Sequence, residues 1–160
     1  MEKEEKFDLE EEYGKYKKKY DLPDFNILLE DFDVEKIIDK ETKFLLRDIR
    51  RVMNDKFSAY LHLFENLINP GSPPMFVFHA IRGLNGTEKE SVKNIYKDLS
   101  KIQIEVLKLD TIYNEKSEAE FVVKYFSLWQ EMKKEVIKII EKFGEAIEKQ
   151  EASRDRGYFG

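Results

Sequence analysis

The sequence predicts an all-α protein: an antiparallel helical bundle of three long helices plus one short buried helix, with an N-terminal docking segment. Three observations predict it. Apolar residues recur at alternating spacings of three and four over long stretches, the period of one helix face. Breakers are few, seven Gly and four Pro in 160 residues, and they cluster where that period lapses. The composition leans to Lys, Glu, Ile and Leu. At this length one domain with a sizeable core is expected.

The composition also narrows the function. Charged residues make up 38% of the chain, but the signs are mixed and the net charge is only -5. That pattern describes a solvated surface rather than a nucleic-acid arm. Cys is absent, which excludes disulfides and thiolate metal sites and fits a cytoplasmic location. The start, MEKEEKFDLEEEY, lacks the apolar stretch of a secretory signal, and no run approaches the roughly 18 apolar residues of a membrane span.

Residues 1–22 set an acidic block, EKEEKFDLEEE, before a basic one, KYKKKY, with scattered apolar residues. A charged, flexible arm is expected. Leu22-Pro23-Asp24 punctuates the chain, and Phe25, Leu28, Leu29 and Phe32 follow at helical spacing. They predict a docking segment over 24–32. Asp33 reads as the N-cap of a long helix reaching Ile68, where Asn69-Pro70-Gly71 stops it. Its second half is apolar on several sides (Phe57, Leu61, Leu63, Phe64, Leu67, Ile68), so cover on more than one side is expected.

NPGSPPMFVFHAIRGLNG, residues 69–86, is nearly uncharged. Ser72 as cap, Pro73 at the first position and Gly83 or Gly86 as a left-handed stop predict a short helix. Its apolarity predicts a central, buried place. Counting the short helix as the second of four, a groove should open beyond its end between the first and third helices, with 24–32 as its cover.

Thr87 with Glu90, and Ser117 with Glu120, match the capping box and open the last two long helices. Val92, Ile95, Leu99, Ile102, Val106, Leu109 and Tyr113 form the seam of one. Val122, Tyr125, Trp129, Met132, Val136, Ile139, Phe143 and Ala146 form that of the other. A second file on the last helix, Phe126, Ile137, Ile140 and Ile147, is expected to widen its buried stripe. The bundle domain spans 23–150, and 151–160, ending RDRGYFG, is expected to be a flexible tail.

Candidate sites are few. Lys36, Lys40, Lys43, Arg47, Arg50 and Arg51 suggest a basic stripe on the first long helix, with seven basic against four acidic residues over 36–56. Such a stripe suits an acidic protein or, as the weaker alternative, nucleic acid. Tyr158 and Phe159 suggest a short docking peptide. His62 with Glu65, and His79 with Arg82, are the remaining constellations, and neither has the inward-facing glutamates of a di-iron bundle. The hydrolase, zincin and dinucleotide-binding motifs are absent, and RGLNGT lacks the spacing and lysine of a P-loop. No cofactor and no metal is expected.

LPDFNILLEDFD, NPGSPPMFVF and LDTIYNEKSEAEF resemble small, uncharacterised helical proteins of archaea, over about residues 22–147. That resemblance carries no activity. The expectation is a non-catalytic protein-protein interaction or assembly module, self-associating through a helical groove. The alternatives are a nucleic-acid-associated accessory factor using the basic stripe, or an enzyme around His62, Glu65 and His79.

Overall fold

The computed structural model describes residues 8–157. Six α-helices and one 3-10 turn, with no strand among the described residues, make the protein all-α. The helices are α1 (Leu9–Tyr20), α2 (Phe25–Asp31), α3 (Leu45–Ile68), α4 (Met75–Gly83), α5 (Gly86–Thr111) and α6 (Glu115–Gly157).

Residues 9–20 of the expected flexible arm form α1; its first seven residues lie outside the described residues. The Asp8 carboxylate accepts from the backbone N–H groups of Glu10 and Glu11 at 3.0 and 3.2 Å. Glu10 to Glu12 occupy the first turn and Lys17 to Lys19 the last, the order that complements the helix dipole. Leu9 and Tyr13 are buried, and the Tyr13 hydroxyl donates to the Pro23 carbonyl at 2.7 Å. Asp21 ends the helix in the left-handed conformation.

The docking segment forms as α2. Leu28 and Phe32 are buried, while Phe25 and Leu29 are half-buried and Phe25 meets the Tyr13 ring at 5.2 Å. Phe32 packs edge-on against Phe57 of α3 at 5.6 Å and near Trp129 of α6 at 6.2 Å. Its ring partners therefore lie on α3 and α6, whereas the expected groove lay between α3 and α5. Lys56 tightens this corner: its ammonium donates to the Asp31 carbonyl and lies about 5 Å from the Phe32 and Trp129 ring centres.

The first long helix starts at Leu45, not at Asp33. Asp33 makes no side-chain cap, and Val34–Ile37 form a 3-10 turn that buries Val34 and Ile37. The Thr42 hydroxyl then accepts the Phe44 N–H at 3.0 Å. A local side-chain bond of that kind competes with helix propagation, and α3 begins just beyond it.

The short helix departs further. It begins at Met75, after Pro74, and no side chain caps it. Only Val77 and Ala80 are buried, whereas Met75, Phe76 and Phe78 are 65, 42 and 40% exposed. This segment is a surface-lying amphipathic turn, not a central plug. With so little covering it, the expected all-round cover of the second half of α3 is also absent: Ile68 is exposed, and Leu61 and Leu63 are half-buried. Neither Gly83 nor Gly86 takes the left-handed form, since no described Gly has positive φ.

Both capping boxes shift upstream. Asn85 accepts the Glu88 N–H at 2.8 Å while Glu88 accepts the Asn85 N–H at 2.9 Å, the reciprocal pattern of a capping box. Asn114 accepts from the Ser117 N–H at 2.9 Å. In each case the Asn side chain reaches the orphan donors first, and the helix begins earlier than the Ser/Thr reading implies. At its other end α6 continues to Gly157, 43 residues in all and about 65 Å long. Residues 151–157, expected as a tail, are its exposed last turns.

The chain divides into two compact units, one within Met1–Ser58 and Ile102–Trp129, the other within Ala59–Lys101 and Gln130–Gly160. The first is centred on Leu46, Ile49, Met53, Phe57, Ile102, Val122 and Trp129. The second is centred on Phe64, Val77, Ala80, Val92, Ile95, Leu99, Val136 and Ile139. The predicted seams of α5 and α6 supply most of the second core but a minority of the first, whose buried residues come mainly from the chain between Leu9 and Phe57.

Candidate functional site

The residues of the expected basic stripe do not share a helix. Lys36 lies in the 3-10 turn, and Lys40 and Lys43 lie ahead of α3. Their carboxylate partners are local: Lys36 pairs with Asp33 at 2.7 Å, and Lys40 and Arg51 approach Asp48 at 3.7 and 3.9 Å. Arg47 stacks on the rings of Phe44 and Tyr113, its guanidinium carbon 4.5 and 4.7 Å from their centres. Lys43 is exposed.

Arg50 turns inward. It is 1% exposed, beside Glu118 at 0%. Its Nε donates to Glu118 Oε2 at 2.6 Å, and its Nη2 to Asp110 Oδ1 at 2.7 Å and to Glu118 Oε1 at 3.4 Å. Burial acts to lower the guanidinium pKa, but the bonds to Glu118 and then Asp110 outweigh it and hold it above its ordinary value. This salt bridge fixes α3, the end of α5 and the start of α6 within the first unit. The role is architectural. The sequence does contain its signal: Leu46, Arg50, Met53 and Phe57 are spaced four, three and four, as are Glu118, Val122, Tyr125 and Trp129. Each charge therefore occupies a seam position, where only a paired charge is tolerated.

The histidine constellations stay apart. His62 and Glu65 are both exposed, and no group of three or more His, Cys, Asp or Glu fit to hold a metal occurs among the described residues. His79 and Arg82 line a pocket of about 360 Å³ with Lys142, Lys149, Gln150 and Ser153 of α6. Tyr158 and Phe159 lie outside the described residues.

The second apolar file of α6 is where structure and expectation part most. Ile137, Ile140 and Ile147 are 54, 36 and 40% exposed. With Gly144 they form the sequence 137, 140, 144, 147, spaced three, four and three, beside rather than within the helix's buried stripe. A Cβ on Gly144 would meet nothing within 4 Å, so the fold of the chain itself does not call for glycine there. Charges of both signs alternate along this stretch (Glu135, Lys138, Lys142, Glu145 and Lys149 among them), but the flanking series at seven-residue spacing runs Lys134, Glu141, Glu148. Lys133 and Lys134 precede the file, while Glu141, Glu148 and Glu151 lie along and beyond it.

No helix among the described residues is long and apolar enough to cross a membrane. No protein-family model, curated protein or solved structure matches the chain.

Proposed function

We propose that this protein is a non-catalytic assembly module that self-associates through the exposed isoleucine seam of α6. The observation that carries the proposal is the seam itself: three isoleucines at heptad spacing, left open to solvent on a 43-residue helix. The occupant is a second copy of the chain, running antiparallel. Charge order selects it, because antiparallel pairing sets Lys133 and Lys134 of one copy against Glu148 and Glu151 of the other. Such a contact is isologous and closes on itself. Ile140 of one copy then faces Gly144 of its partner, which gives that glycine a use despite its cost in a helix of about 1 kcal/mol.

The energetics support a modest interaction. At about 1.5–3 kcal/mol per fully buried isoleucine, covering the exposed fractions on both copies contributes on the order of 4–8 kcal/mol. Association itself costs about 4–15 kcal/mol. Only the favourable ends of both ranges leave a surplus, about 4 kcal/mol or a Kd on the order of 1 mM, so the isoleucine contact by itself gives at most a weak, concentration-dependent dimer. In this reading α3, α5 and α6 form an antiparallel bundle, as the short connection between α5 and α6 favours. The nucleic-acid alternative has less support, since Arg50 is buried and Arg47 is stacked on two rings.

Sedimentation equilibrium of charge-swapped chains tests the proposal. Lys134→Glu and Glu148→Lys should each weaken self-association, and the double swap should restore it. Singles without effect, or a double variant no better than either single, would count against antiparallel pairing.

A further inference from the structure

The pocket between α4 and α6 has the chemistry of an anion site, and it is independent of the self-association seam. Lys142, Ala146, Lys149 and Ser153 follow at four, three and four on one face of α6, a different face from the isoleucine seam, because residues two apart point away from each other on a helix. From α4 come His79, Arg82 and Gly83, and the open pocket they line together is about 360 Å³.

The charges are unevenly compensated. Lys142 sits between Glu145 at 3.3 Å and Glu88 at 3.5 Å. Arg82 and Lys149 have no carboxylate partner among the described residues. The Arg82 guanidinium is oriented instead by the Phe78 ring, 4.8 Å from its centre, which leaves its fork of N–H donors available. Gln150 and Ser153 add neutral hydrogen-bonding groups. His79 also lines the pocket, and its Nε2 is buried with no hydrogen-bond partner among the described residues. A stacked arginine, an uncompensated lysine and nearby neutral donors make the arrangement that recognises a compact oxyanion bidentately. The single carboxylate of the lining, Glu145, is already engaged by Lys142.

We propose that this pocket binds the phosphate dianion of a small ligand, with Arg82 and Lys149 as its charge partners. Arg82 supplies the planar fork and Lys149 the point charge. Gln150 and Ser153 bond the remaining oxygens, and Lys142 stays with its two carboxylates.

The full chain is titrated with inorganic phosphate at constant ionic strength, followed by amide NMR shifts at Gly83, Ala146 and Gln150. Vesicles of phosphatidylcholine carrying phosphatidic acid, tested for retention in parallel, distinguish a headgroup from a soluble phosphate. The expected result is saturable binding to at least one probe, weakened tenfold or more by Arg82→Gln and by Lys149→Gln. Lys116→Gln, at an exposed position near the start of α6, should leave it unchanged. Arg82 and Lys149 are both exposed, so the variants keep the fold, and an unchanged amide spectrum without phosphate checks this. Shifts that never saturate, with no retention on vesicles, overturn the proposal. So does binding that survives the Arg82→Gln/Lys149→Gln double variant, or that Lys116→Gln weakens equally.

Discussion

Replacing Glu118 by Gln should be among the most damaging isosteric changes in this chain. It keeps the shape of the side chain but removes the charge that faces Arg50 across 2.6 Å. Arg50 is almost wholly buried, so its guanidinium would stay in a poorly solvated site with a neutral partner. Breaking a buried ion pair from one side costs about 3–5 kcal/mol. The lower end applies here, because Asp110 still accepts from Nη2 at 2.7 Å and its side chain is half in solvent. About 3 kcal/mol lowers the Tm of a domain of this size by roughly 6–12 °C. The same argument predicts a different outcome for the pair. Arg50→Met with Glu118→Leu removes both charges and fills the space, and should be neutral or stabilising by up to about 4 kcal/mol. Urea unfolding followed by circular dichroism and by Trp129 fluorescence measures all three chains. A loss under about 1 kcal/mol for Glu118→Gln, or a double variant as unstable as the two singles combined, would refute the claim that a desolvated charge pair organises the first unit.

Three other outcomes are expected. Asn85→Ala removes the reciprocal cap of α5 and should cost about 1 kcal/mol, measured by urea unfolding, while Thr87→Ala should cost much less. Burial, then the Asp24 charge, raises the Tyr13 phenol above its ordinary value of 10.0, and Tyr16, Tyr113 and Tyr125 are raised too, first by burial. A raised folded pKa means the folded state holds its protons more tightly. The stability is thus complete below pH 10 and falls as pH rises above it, by at most about 1.4 kcal/mol per pH unit per tyrosine. Tyr13→Phe should flatten that alkaline loss. A chain beginning at Asp33 loses buried Leu9, Tyr13, Leu28 and Phe32, so Trp129 emission should shift to the red and apolar dye binding should rise.

The long seams were legible because a period of three and four needs no tertiary knowledge. Every residue from Val92 to Val106 in the α5 seam, and from Val122 to Phe143 in the α6 seam, is buried. Boundaries were less legible, since several side chains competed to cap each helix. Asn85 and Asn114 prevailed over Thr87 and Ser117, and Thr42 diverted the backbone ahead of α3. Apolarity proved a poor guide to depth in α4, where a helix of nine residues has room to bury only one face. The basic stripe dissolved because it assumed a helix through 33–44, where the chain forms only the 3-10 turn Val34–Ile37 before α3 begins at Leu45. The Arg50–Glu118 pair was written in the seam spacing, but reading it requires treating a charge as a core residue. The pocket lysines of α6 could not be found from sequence, because nothing in their spacing says that Arg82 lies opposite.

The central claim, self-association through α6, is tested most directly by the mass in solution. Light scattering behind size exclusion, over a hundredfold range of loading concentration, should show the wild-type chain moving from monomer towards dimer. Ile137→Lys, at a position already more than half exposed, should hold it at the monomer mass with an unchanged helical spectrum. A wild-type chain that remains monomeric at every concentration, or a variant that dimerises equally well, would contradict the account.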